Sequence, residues 1–292
     1  MDTIDIDQLK RSIIVALFSD DSLVNTLVLK GGNALGLAHN SKLRASFDLD
    51  FSMEGAFRPD ELVDLARRIE FRLAQVFEQI GYAVFDVVLE PRPETLSQEL
   101  ETFWGGYSLE FKVIPRRRFD ELGGNLTAIR REAIAPRPGG RARFEVDISK
   151  HEYCSGKQAI EIDHFTVYVY TPAMIVCEKI RAICQQMESY AAFVRKHRAP
   201  RARDFFDIYE TVRRFKVDVM TDENRTILRH MFDAKRVPLG LLRRLDDDRD
   251  LHAQGWDAVK DTVDVAVRLR PFEFYFDFVA EQCHRLADTL ST

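Results

Sequence analysis

Apolar positions Leu9, Ile13, Ile14 and Leu17 recur at helical spacing and predict a helix from about Asp7 to Phe18. Leu27, Val28 and Leu29 form a short apolar strand that runs straight into Gly31-Gly32, and residues Asn33 to His39 then read as a short helix. From Phe47 to Phe51 apolar and acidic residues alternate, the period-two signature of a half-buried strand. Pro59 to Ile80 is a long amphipathic helix with proline at its start and Gly81 after its end. Tyr82 to Leu89, Tyr107 to Ile114, Arg143 to Ser149 and Ile160 to Tyr170 predict further strands, separated by loop segments at Pro91 to Pro93 and Pro136 to Gly140. After Thr171-Pro172 the pattern turns helical: Ala173 to Met187, Arg203 to Arg213, Thr221 to Phe232 and Phe272 to Leu290. The change near residue 170 predicts two domains, a mixed α/β one over 1–170 and a helical one over 171–292. No internal repeat interrupts this order.

Composition changes the picture little. Of 292 residues 46% are hydrophobic and 30% charged, the balance of a globular chain with a sizeable core. Met1 to Gln8 is acidic and polar, unlike a secretory leader, and no apolar run approaches the ~18 residues of a membrane span. The expectation is a cytoplasmic protein with no membrane association. Cys154, Cys177, Cys184 and Cys283 show no C-x-x-C spacing and read as buried free thiols, which argues against zinc.

The net charge of −5 argues against a protein that coats nucleic acid indiscriminately but leaves local basic clusters. These are Arg116 to Arg118, Arg130-Arg131, Arg137 to Arg143 and Arg195 to Arg203. The last joins two helices and contains Pro200, so it reads as an exposed loop: either a track for a phosphate backbone or a solvated loop that caps a helix. Asp246 to Asp248 with Asp250 read as a solvated acidic turn, and Phe272 to Phe278 as core packing of a C-terminal element.

The chemistry resides in the carboxylates. Asp48 and Asp50 lie two apart on a strand, so both leave the same face, with Cα atoms roughly 6.5 Å apart. Phe47, Leu49 and Phe51 point the other way into the core. Two convergent carboxylates suit Mg²⁺, which takes oxygen ligands and substrate phosphate, and a pair of such ions suits phosphoryl chemistry. Gly31 and Gly32, ahead of a helix, permit backbone amides to approach a phosphate. A third acid is needed. Asp147, between Val146 and Ile148, is the first choice, Glu145 the reserve and Glu110 the third option.

Together these residues resemble the AbiEii/AbiGii toxin family of nucleotidyltransferases, within the DNA polymerase β-like superfamily. Lys30-Gly31-Gly32-Asn33-Ala34-Leu35 is similar to that family's K-G-G-[ST]-A-L, and Arg44-Ala45-Ser46-Phe47-Asp48-Leu49-Asp50-Phe51 to its R-x-S-x-D-[IL]-D-[FL]. Glu178-Lys179-Ile180-Arg181-Ala182 resembles the third motif and Arg203-Asp204-Phe205-Phe206-Asp207-Ile208-Tyr209 the fourth. Order and spacing match over residues 28 to 210. Asn33 departs from the usual Ser or Thr.

The resemblance implies an α+β fold: a polymerase β-like mixed sheet with flanking helices, followed by a helical C-terminal domain that completes the active site. It implies that Asp48, Asp50 and Asp147 bind Mg²⁺, with Mn²⁺ as a substitute, and that Asp147 acts as general base. Lys30, Gly31, Gly32 and Asn33 would hold the triphosphate of an NTP; Arg44, just before the acids, would hold phosphate or an RNA backbone, and Ser46 phosphate or the turn itself. Lys179 would neutralise phosphate charge, and Asp204 would orient Lys179 or the bound nucleotide. The implied activity is transfer of NMP from an NTP to the 3′ end of tRNA or another RNA, by the toxin of a bacterial toxin–antitoxin or phage-defence system with a cognate antitoxin. Competing expectations are nucleotidylation of a protein or small molecule, and a catalytically inactive regulatory binding module.

Overall fold

The computed structural model describes residues 5–39, 48–137, 139–263 and 267–290. In chain order its elements are α1 (Ile6–Phe18), α2 (Asp21–Val24), β1 (Val28–Lys30), α3 (Gly31–His39), β2 (Leu49–Ser52) and α4 (Leu62–Gln79). Next come β3 (Tyr82–Arg92), α5 (Gln98–Glu101), β4 (Gly106–Pro115), α6 (Arg116–Glu121), α7 (Leu126–Arg131), β5 (Phe144–Ser149), β6 (Gln158–Ile162) and β7 (Phe165–Val169). The remainder is helical: α8 (Pro172–Cys184), α9 (Glu188–Phe193), α10 (Ala202–Phe215), α11 (Asp222–Ala234), a 3-10 segment Leu239–Asp248, α12 (Arg249–Ala253), α13 (Trp256–Lys260) and α14 (Phe272–Leu290). The fold is α+β.

The chain forms two compact units. The first, Met1–Asn33 with Ser46–His151 and Ala159–Val169, is built on a seven-stranded mixed sheet among the described residues, in the order β3-β4-β5-β2-β1-β7-β6. β2 runs parallel to β5 and antiparallel to β1. One face of this sheet is apolar. Helix α4 presents Leu65, Ile69, Leu73 and Phe77 every fourth residue, the stripe that an amphipathic helix buries. Phe77 meets Phe111 of β4 edge-on, Phe111 stacks on Phe144 of β5, and Phe18 of α1 packs against Phe51 of β2. On β5 the alternation is strict: Phe144, Val146 and Ile148 are buried, while Glu145, Asp147 and Ser149 are half-buried on the opposite face. A smaller cluster of Ala83, Phe85, Ile114 and Ile129 seats α6 and α7 at one end of β3 and β4.

The structure corrects the single strand expected over Ile160 to Tyr170. It is a hairpin, β6 and β7, turned at Asp163 and His164, both with positive φ. Two consecutive left-handed residues make the two-residue turn whose twist suits adjacent strands. No glycine marks it, so sequence alone gave no break. The long helix expected from Pro59 begins instead as a 3-10 turn, Pro59–Glu61, before α4.

In the second unit, Ala34–Ala45 with Glu152–Gln158 and Tyr170–Thr292, α10 and α11 pack on α8, and α14 packs on α10 and the 3-10 segment. Thr171 caps α8, its hydroxyl accepting from the Met174 amide at 3.3 Å, with Pro172 at the first helical position. Phe205 and Phe206 meet Phe272, Tyr275 and Phe276, so the aromatic run of α14 is core packing. The short helices between Glu188 and Lys260 were not expected from the sequence, because each is too short to show a helical period. All four cysteines are buried thiols. Among the described residues no helix is long and apolar enough to cross a membrane.

Gly106 is a point where the sheet admits only hydrogen. A Cβ there would lie 2.1 Å from the Ile148 carbonyl oxygen and 3.1 Å from its carbon, both backbone atoms. Gly106→Ala must therefore displace β4 from β5, and overpacking of this kind costs about 1–3 kcal/mol. Urea unfolding of the variant should show a correspondingly lower midpoint; an unchanged midpoint would contradict the tight approach.

Candidate active site

The site grows from one line of residues running across the sheet. Lys30 of β1 is the register partner of Asp50 on β2, Asp50 of Asp147 on β5, and Asp147 of Ser108 on β4. Asp50 and Asp147 are thus direct neighbours on parallel strands and share a face. Asp48 stands just before β2, two residues from Asp50 and on the same side. Glu145 is one step back along that face of β5, opposite Glu110, which pairs with Arg143.

Gly31 makes the turn from β1 into α3 at φ +71°, a conformation that L side chains rarely adopt. A Cβ at this position would come 3.3 Å from Asp50 Oδ2, so the glycine leaves room over the carboxylate. Asn33 donates its side-chain amide to the Asp48 carbonyl oxygen at 2.5 Å, fixing the entry into β2. Lys30 is buried and donates to Ser149 Oγ at 3.0 Å. Gly32 lies in the first turn of α3. Arg44 and Ser46 lie outside the described residues.

Sequence reasoning missed two cations. Arg137 binds Asp48 Oδ1, and Arg92, at the end of β3, binds both Glu145 and Asp147, the latter at 3.0 Å. Nothing in the local pattern around either arginine signals this, because the partners are 89 and 55 positions away. Burial raises the Asp147 carboxyl above the ordinary aspartate value; Arg92 and Lys30 oppose that shift, and the charges of Glu145 and Asp48 add to it.

The fit to a divalent cation follows from these facts. Asp48, Asp50 and Asp147 offer oxygen donors alone, the set that Mg²⁺ and Mn²⁺ prefer. A Cβ at Gly31 would crowd the Asp50 carboxylate, and the Asp147 carboxyl, raised by burial and like charge, is stabilised by an added cation. The donor chemistry fits. Among the described residues no three His, Cys, Asp or Glu side chains are gathered closely enough to enclose an ion as they stand. Asp48 and Asp147 face arginines instead.

The second unit carries its own ion cluster. Lys179 of α8 is buried, and its Nζ donates to Asp204 at 2.6 Å and pairs with Asp207 at 2.9 Å. Arg201 holds the other oxygen of Asp204. Burial alone would raise the Asp204 carboxyl, but Arg201 and Lys179 outweigh it and hold it below the ordinary value. Asp207 was not singled out from the sequence, although it lies one helical turn from Asp204, the spacing that places both on one face. Beside this cluster Arg181 is fully buried between Glu152 and Glu178, and Lys235 also pairs with Glu152.

The basic segment 195–203 is mostly exposed, as expected of a loop, but two of its arginines are paired within the protein. Arg198 binds Asp248 and donates to the Gln186 carbonyl oxygen at 2.7 Å, and Arg201 is taken by Asp204. Lys196 is half-buried, and burial pushes it down to about 8, with Arg201 and Arg181 adding to the shift. Arg195, His197 and Arg203 remain exposed. Asp248, expected in a solvated acidic turn, is buried because it answers Arg198. The other clusters are also paired: Arg116 to Arg118 with Glu78, Asp120, Glu121 and Glu132, and Arg130 with Asp86.

The family model for the nucleotidyl transferase AbiEii toxin of type IV toxin–antitoxin systems matches residues 12–278. Among solved structures, a candidate nucleotidyltransferase from H. pylori is similar at 15% identity, with 98% of this chain and 95% of that one covered and a TM-score of 0.44. An antigenic nucleotidyltransferase-like protein from Paracoccidioides brasiliensis is similar at 15% identity, with 79% and 93% covered and a TM-score of 0.35. Among curated proteins no match was found.

The helical cluster has a pH signature. His252 is fully buried; its Nδ1 accepts from the Arg201 amide at 3.1 Å, and its Nε2 has no hydrogen-bond partner among the described residues. Burial lowers the imidazole to about 4 from 6.5, against a partial upward pull from Asp248 and Asp204. Between those values the unfolded chain takes up a proton that the folded chain refuses, so stability falls as pH drops from 6.5 towards 4 and this contribution levels off below. The loss attributable to His252 is on the order of 3 kcal/mol. Chemical denaturation at stepped pH should show a shallower slope in His252→Gln over that window; equal slopes would contradict a neutral buried imidazole.

Proposed function

Since the chain belongs to the AbiEii family of nucleotidyl transferase toxins and is a nucleotidyltransferase, we propose that it moves NMP from an NTP to the 3′ end of tRNA or another RNA. In this reading it is the toxin of a bacterial toxin–antitoxin or phage-defence system with a cognate antitoxin. The observation that carries the chemistry is the pairing of Asp50 with Asp147 across β2 and β5, with Asp48 beside them and Gly31, which has no side chain, against the Asp50 carboxylate.

Asp48, Asp50 and Asp147 would hold Mg²⁺ or Mn²⁺. Bound there, such an ion supplies charge neutralisation at the α-phosphate and the departing pyrophosphate. Asp147, its carboxyl raised by burial, accepts the proton of the acceptor hydroxyl at a carboxylate oxygen. The acceptor oxygen then bonds to the α-phosphorus, the bond from that phosphorus to the bridging oxygen breaks, and pyrophosphate leaves. Gly31, Gly32 and Asn33 at the start of α3 receive the triphosphate, where a helix N-terminus favours anions. Lys30 steadies the acid line through Ser149. The roles towards the triphosphate that the family pattern gives Lys179 and Asp204 belong to the same proposal, as do those of Arg44 and Ser46.

Exposed Arg195, His197 and Arg203 support an RNA acceptor, while the internal pairing of Arg198 and Arg201 weakens the segment as a phosphate track. That pairing favours a second reading, transfer to a protein or small-molecule hydroxyl. Incubation with α-labelled NTPs and Mg²⁺, with total RNA and total protein as separate acceptors, discriminates the two. Wild type should label RNA 3′ ends, and Asp48→Asn should lower the rate by about 10²-fold or more, the scale of losing a group that organises transition-state charge. Label retained at the wild-type rate in Asp48→Asn would overturn the assignment; label on protein alone would move the acceptor to the second reading.

A further inference from the structure

Resting on that reading of the acid line, we propose that Arg92 and Arg137 are exchangeable counter-ions: they hold the acids while the site lacks a divalent cation, and pass to the NTP phosphates when metal and nucleotide bind. The charges make a placeholder necessary. Asp48, Asp50, Glu145 and Asp147 crowd one face, with Asp50 and Asp147 directly paired, and like charges in register on neighbouring strands repel. Lys30 sits across from Asp50 and Arg143 stands 3.8 Å from Glu145, two cations beside four acids among the described residues. Arg92 and Arg137 supply two more, each on an oxygen of a proposed metal-binding carboxylate.

The same contacts are built to be released. The Arg92 and Arg137 side chains are 58% and 49% exposed, and their partners Asp147 and Asp48 are 44% and 59% exposed. Ion pairs in such a setting contribute little to stability and exchange readily with solvent and other ions. Arg181 makes the contrast: at 4% exposure between Glu152 and Glu178 it is locked in the core. The route of Arg92 is clear as well. Its register partner on β4 is Gly106, which has no side chain to stand between Arg92 and β5. A guanidinium presents paired donors that match a carboxylate and a phosphate equally well, so one side chain can serve both partners.

Arginine and metal ion therefore compete for the same oxygens before the nucleotide arrives and cooperate once it is bound. The test is binding rather than turnover, with full-length protein and Mn²⁺ followed by electron paramagnetic resonance. Mn²⁺ is titrated alone and then together with each of the four α,β-methylene nucleoside triphosphate analogues. Arg92→Gln and Arg137→Gln should each bind Mn²⁺ alone about 2–5-fold more tightly than wild type, the size expected for removing an exposed competing charge. Each should bind the Mn²⁺–analogue complex more weakly than wild type by a similar factor or more. Arg92→Lys and Arg137→Lys, which keep the charge, should leave Mn²⁺ affinity near the wild-type value. Glutamine variants that bind Mn²⁺ no more tightly than wild type, or that bind the analogue complex unchanged, overturn the exchange. Wild-type Mn²⁺ affinity in both Asp48→Asn and Asp147→Asn is a separate failure: it removes the acid line as the metal site, and this inference falls with it.

Discussion

Two carboxylates set side by side on neighbouring strands repel, and the sheet unit is arranged around that repulsion. Asp50 and Asp147 face one another across β2 and β5, Asp48 and Glu145 stand close on the same face, and burial raises Asp147 further. An arrangement of this kind persists only where cations answer it. Lys30 answers from β1, Arg92 from the end of β3 and Arg137 from the loop after α7. The opposite face holds the position: Phe51, Val146 and Ile148 are buried beneath the acids, and the Phe18, Phe77, Phe111 and Phe144 contacts tie α1 and α4 to that side. A strand that buries one face so completely cannot slip by one residue without exposing its core, so the acids are fixed in register.

The helical unit solves a related problem by burial. Lys179, Asp204, Asp207 and Arg201 form one set of alternating charges, and Arg181, Glu152, Glu178 and Lys235 form another. Removing a partner from such a set strands a charge in the core, a loss of about 3–5 kcal/mol. Loss of activity on substituting Lys179 thus has to be read beside the folding stability of the variant. The exposed arginines of the sheet unit carry no comparable obligation to the fold.

Much of the fold was legible because the signals were periodic. The four-residue stripe of α4, the alternation of Phe144 to Ser149, and the apolar run into Gly31-Gly32 each name an element and the face it buries. Elements without a period were hidden: the Asp163-His164 turn lacks glycine, and Glu188–Phe193, Leu239–Asp248, Arg249–Ala253 and Trp256–Lys260 are short helices or 3-10 turns. In the candidate site, Asp48 and Asp50 stood out by spacing, and Asp147 by its apolar neighbours. Arg92 and Arg137 did not, since a long side chain that reaches a distant strand leaves no local trace. In the segment 195–203 the exposure was legible but the pairing of Arg198 was not, for the same reason: only the fold brings Asp248 to it.

The central claim is that Asp48, Asp50 and Asp147 gather divalent cation on one face of the sheet. Crystals grown with Mn²⁺ and an α,β-methylene nucleoside triphosphate analogue, measured for anomalous scattering at the manganese edge, test it most directly. The account predicts an anomalous peak within about 2.2 Å of carboxylate oxygens from all three residues, with the triphosphate completing the ligand set. A manganese ion bound to the triphosphate but away from Asp147, or held by other side chains, would contradict it.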